Sequence, residues 1–137
     1  MKTVSSRTAA VVAIVALVGA AGIQGLKAQT ASAVKRNVLL KQDMTIPGRE
    51  AVMAQVELPP GASEGKHTHP AEVYGFVQEG TVTLEVEGQP TKTFKAGDVF
   101  SIAPGLVHEG HNKGSAPAKL LVVFVAEKGK PLTTQAQ

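Results

Sequence analysis

The chain has 137 residues, 43% of them hydrophobic and 18% charged, which excludes a disordered or collagen-like polymer and leaves room for one ordinary domain. It has no cysteine, so disulfide frameworks, zinc fingers and thiol nucleophiles are excluded, and an aromatic content of 4% without Trp argues against base-stacking surfaces for nucleic acid. The net charge of +3 belongs to the N-terminal segment: Lys2, Arg7 and Lys27 are the only charges in residues 1–33, and the remainder balances 11 basic against 11 acidic residues. The positive stripe that nucleic-acid binding needs is therefore missing.

Residues 1–33 read as an export signal. Lys2 and Arg7 form a basic start, residues 8–26 carry no charge, and an apolar core runs over residues 9–23. Leu26-Lys27-Ala28 and the better-matched Ala31-Ser32-Ala33 offer small-x-small cleavage sites. The uncharged run is just long enough to cross a bilayer, but it is built of Ala, Val and Gly with Leu only at 17 and 26, which favours a cleaved signal over a membrane anchor. A periplasmic or secreted domain of residues 34–137 is expected, with membrane contact only if the segment stays uncleaved.

That domain reads as short strands and turns. Val52, Ala54, Val56 and Leu58 alternate with Met53, Gln55 and Glu57, the period-two signature of a half-buried strand, and Pro59-Pro60-Gly61 stops it. Further strands follow at residues 73–78, 81–87, 91–94, 99–102, 107–111 and 119–126, separated by Gly-, Pro- and Asn-containing turns. No stretch after residue 34 sustains a helical period, and turns recurring roughly every eight to twelve residues indicate a β-sandwich or barrel. The final Thr-Thr-Gln-Ala-Gln is expected to fray.

His67, His69, His108 and His111 are the only histidines. Residues two apart on a strand share a face, so His67 and His69 can aim together, and a third imidazole from a distant strand would complete a three-ligand face with open coordination positions. His111, three residues after His108, is turned away by the same alternation and reads as a surface residue.

These windows resemble the two motifs of the cupin family. The first, Gly-x5-His-x-His-x3-4-Glu-x6-Gly, is matched by Gly61, His67, His69 and Gly80; the second, Gly-x5-Pro-x-Gly-x2-His-x3-Asn, by Gly97, Gly105, His108 and Asn112, with Ala103 at the Pro position. Sixteen residues separate Gly80 from Gly97, and the likeness covers residues 50–126. The resemblance implies an all-β double-stranded β-helix, the cupin or jelly-roll barrel, with His67, His69 and His108 as metal ligands. It also implies a homodimer paired through edge strands, to which the alternate residues of the apolar run 120–125 would lend a face.

The departure lies at the motif's Glu, where Val73 stands. Glu72 is one residue early, and alternation sends it to the face opposite the histidines. A bulge at Pro70-Ala71 would bring it inward as a fourth candidate ligand. Three neutral imidazoles suffice for a divalent transition metal (Zn, Fe, Ni or Mn), the loss of the acid disfavouring Mn²⁺. Phe76, Val82, Phe100 and Val123 are the expected pocket lining, while Tyr74, Gln78 and Glu109 read as cross-strand surface residues. The function indicated is an exported protein binding a divalent metal and a small molecule in the barrel, its reaction unassigned. The alternative is a metal-dependent dioxygenase or isomerase acting on a small oxygenated substrate.

Overall fold

A computed structural model describes residues 33–137, so the expected export signal lies outside the described residues except for its last residue. Every regular element among the described residues is a strand: β1 (Lys35–Asp43), β2 (Arg49–Leu58), β3 (His67–Thr68), β4 (Ala71–Glu79), β5 (Thr81–Val86), β6 (Lys92–Lys95), β7 (Val99–Ile102), β8 (His108–His111), β9 (Ala118–Glu127) and β10 (Thr134–Gln135). They form two five-stranded antiparallel sheets, ordered β1-β2-β9-β4-β7 and β10-β3-β8-β5-β6. This is the double-stranded β-helix that the motifs imply.

The two sheets meet through one face of each strand, as period-two alternation requires. Val52, Ala54, Val56 and Leu58 of β2 are buried while their neighbours are half-exposed. Register carries that face across the first sheet, where Val52, Phe124, Val73 and Ile102 form one inward row. Leu58 and Val77 are fully buried, and each such side chain contributes about 1.5–3 kcal/mol of transfer free energy.

Three expectations are corrected. The C-terminal segment is not free, since Thr134 pairs with Thr68 and Gln135 with His67, so the polar tail closes an edge of the second sheet. Phe76 and Val123 point out of the barrel: the inward set of β4 is Ala71, Val73, Gly75 and Val77, which leaves Phe76 on the outer face beside Leu121. Residues 120–125 belong to a central strand flanked by β2 and β4, not to an edge.

β1 is the edge strand of the first sheet, and all nine of its residues are exposed. Its register against β2 shifts between Val38 and Leu40, so Leu39 is an extra residue and the three consecutive apolar side chains break the alternation.

Candidate metal centre

β3 and β8 are neighbours, and His67 pairs directly with His108 across them. His69, two residues beyond His67, turns to the same interior face. All three rings are buried, at 3%, 7% and 4% exposure for His67, His69 and His108. Ring centroids lie 4.8 Å apart for His67–His69, 4.3 Å for His67–His108 and 5.0 Å for His69–His108. One ring nitrogen from each lies within 4.8 Å of the others.

Hydrogen bonds fix the tautomers. Nδ1–H of His67 donates to the Gly65 carbonyl at 2.6 Å, that of His108 to Leu106 at 2.9 Å, and that of His69 to Leu132 at 2.7 Å. A carbonyl only accepts, so Nδ1 carries the proton, and in the neutral ring the lone pair is on Nε2. Two of the three anchors are local, two residues upstream of the ring they hold. The third comes from the segment before β10, so the ordered tail sets the orientation of His69.

Burial favours the uncharged form of His69 and His108. It pushes the His69 pKa down from 6.5 to about 4, and the neighbouring imidazoles and Arg36 add to the effect against the Leu132 hydrogen bond. His108 is lowered as well, again chiefly by burial. Neutral imidazole is the form that coordinates a metal. Tetrahedral bonds of ~2.0–2.1 Å bring ligand atoms to roughly 3.4 Å of one another, so closing the widest separation by about 1.4 Å suffices. The donor set fits a divalent transition metal.

The histidines line a cavity of about 110 Å³. Its walls are apolar, with Val73, Val82, Phe100, Ile102, Val122 and Phe124 among them, and Phe124 meets the His69 ring edge-on at a centroid distance of 4.9 Å. Val82 and Phe100 therefore line it as expected. Arg36, Glu64 and Thr133 are the other polar lining residues; sequence reasoning missed Arg36 and Glu64 because neither lies at a motif position.

Glu72 is outside the group. β4 keeps unbroken register with β9 from Ala71↔Ala126 through Glu72↔Val125 to Val73↔Phe124, so the bulge that would re-aim the carboxylate is absent and Glu72 is exposed. His111 lies on the outer face, its Nε2 3.5 Å from Glu109 Oε2 and 3.6 Å from Glu85 Oε1. Tyr74 is exposed, Gln78 accepts a hydrogen bond from Gln55, and Glu109 accepts one from Ser63.

Residues 54–124 match the protein family described as the cupin domain. Germin-like protein subfamily 2 member 1 of Arabidopsis thaliana is 36% identical over 89 residues, which cover 59% of this chain and 41% of the plant protein. The chain thus spans less than half the length of that curated relative. Among solved structures, an uncharacterised double-stranded β-helix protein of Klebsiella pneumoniae superposes with a TM-score of 0.64 at 23% identity, covering 76% of this chain and 84% of that one. An oxalate oxidase superposes with a TM-score of 0.57 at 28% identity, covering 63% of this chain and 46% of the oxidase.

Proposed function

The chain belongs to the cupin domain family, and from that membership together with the histidine cluster we propose that it binds one divalent transition metal through His67, His69 and His108. A small molecule would occupy the rest of the barrel, with no reaction assigned. One observation carries the reading: three buried imidazoles each give Nδ1–H to a backbone carbonyl and leave Nε2 free toward a common cavity. A bound ion would supply Lewis acidity at its open coordination positions. The protein's own part is to orient the three nitrogens, to favour the neutral form of His69 and His108 by burial and to surround them with apolar walls. A cavity of about 110 Å³ suits a small ligand.

The likeness to an oxalate oxidase favours the enzyme alternative, a metal-dependent dioxygenase or isomerase acting on a small oxygenated substrate. Residues 1–33 would direct export to the periplasm or medium. A homodimer is part of the same reading, supported by the exposed Tyr74, Phe76 and Val99 beside Leu121 on the outer sheet face.

Metal analysis of protein purified without a histidine tag tests the central point. About one equivalent of bound metal per chain is expected after loading and dialysis, and failure to take up Zn²⁺, Fe²⁺, Ni²⁺ or Mn²⁺ refutes the reading. Sedimentation equilibrium showing a monomer at micromolar concentration refutes the dimer, and a secreted product that still begins at Met1 refutes the cleaved signal.

A further inference from the structure

We infer that Glu64 is the carboxylate of the histidine centre, parked on Arg36 in this structure and transferring to the ion when a metal binds; this rests on the metal-binding reading above. Glu64 is the one carboxylate among the described residues that line the histidine cavity. Its placement is set by the backbone. Ser63 forms an antiparallel bridge with His111, and the Glu64 N–H donates to the Gly110 carbonyl at 3.0 Å, so this segment runs beside β8.

Gly110 faces the interior, as His108 does. A Cβ at position 110 would lie 2.7 Å from Glu64 Oε2, so the carboxylate fills the place of the side chain that Gly110 lacks. Alternation puts that place on the same face as His108, one side-chain step of ~7 Å along the strand. In this position Glu64 stands outside the group of mutually close ligand atoms, which comprises His67, His69 and His108. Arg36 holds it there through an ion pair of 3.0 Å, with the Glu64 side chain 14% exposed and that of Arg36 50% exposed.

Charge decides which partner keeps the carboxylate once a metal arrives. Three neutral imidazoles bring no negative charge, and a dication in an apolar cavity is strongly penalised without an anion beside it. Arg36 belongs to an exposed edge strand and is half in water, so losing its partner costs it little. The dication is the stronger claimant, and the side-chain-free surface at Gly110 leaves the carboxylate room to move.

Calorimetric titration of untagged, metal-free protein with Zn²⁺ tests this, with Co²⁺ absorption spectra reporting coordination. Glu64→Gln is expected to weaken Zn²⁺ binding tenfold or more and to change the Co²⁺ spectrum, while Arg36→Met, which frees the carboxylate, tightens binding threefold or more. A Glu64→Gln affinity within threefold of wild type, an unchanged Co²⁺ spectrum, or weaker binding in Arg36→Met overturns the inference. A wild-type protein that binds no metal fails the underlying reading instead, so the two failures are distinguishable.

Discussion

Asn112 closes the second motif, and the structure gives it an architectural task with a measurable size. The residue is 1% exposed. Its Nδ2 donates to the carbonyls of Leu58 and Ala116, both at 2.8 Å, and its Oδ1 accepts from the Gly114 N–H at 2.9 Å. Its backbone accepts from Gly61 N–H and donates to the Ala62 carbonyl, each at 2.9 Å. The side chain thus ties the end of β2 to the turn before β9, while the backbone of the same residue holds the opening glycine of the first motif. Asn112→Ala removes three hydrogen bonds. The Leu58 carbonyl is left buried without a partner, at about 2–3 kcal/mol, whereas Gly114 and Ala116 lie in an exposed turn where water recovers part of the loss, at about 0.5–1 kcal/mol each. The expected destabilisation is about 3–5 kcal/mol, a large share of the ~5–15 kcal/mol that holds a domain of this size. Asn112→Asp should be no better, because a carboxylate meets two carbonyl oxygens with lone pairs instead of protons. Urea denaturation followed by far-ultraviolet circular dichroism measures both variants. A loss below 1 kcal/mol for the alanine variant, or wild-type stability for the aspartate variant, would refute the reasoning.

The other expectations concern the site and its walls. His67→Ala and His108→Ala should each weaken metal binding at least tenfold by calorimetry, while His111→Ala and Glu72→Gln, altered on the outer faces, should stay within threefold of wild type. Metal-free protein should lose stability as pH falls from 6.5 toward 4: the unfolded chain takes up protons that the buried His69 and His108 refuse, so the contribution is whole above 6.5 and the slope flattens near 4, where folded His69 itself protonates. The His69 part is at most about 3 kcal/mol, and urea midpoints that stay level between pH 7 and 4.5 would contradict it. Gly75→Ala places a Cβ 2.1 Å from Phe100 Cζ. Overpacking of about 1–3 kcal/mol is expected, partly relieved in the double variant with Phe100→Leu, and thermal melting reads both.

Where a strand is half-buried and regular, alternation alone placed it. Residues 52–58 follow the inward pattern that the structure shows, and 119–126 form the expected strand but with Leu120, Val122 and Phe124 inward in place of Val123. The reading failed where the determinant was remote. Phe76 is large and apolar, yet it faces outward because the inward register of β4 places Gly75 against Phe100, a partner from β7. β1 was invisible because its extra residue at Leu39 breaks the period. The polar tail carries no strand signal of its own, and only the free edge of β3 makes it one.

The site divides along the same line. His67 and His108 are legible because each stands at a motif position and the carbonyl two residues upstream orients its ring. His69 is legible as a residue but not as a geometry, since Leu132, far along the chain, holds its Nδ1. Glu64 is legible in neither sense: nothing in the segment from Gly61 to His67 marks a functional acid, and it reaches the cavity only because Gly110, in another strand, has no side chain. Glu72 shows the converse. Proximity in sequence to the missing motif carboxylate made it the natural candidate, but one residue of offset in an unbulged strand puts it on the other side of the sheet. Compensation for a lost ligand is therefore sought among residues that share the interior face, whichever strand or loop supplies them, and in this barrel that criterion selects Glu64.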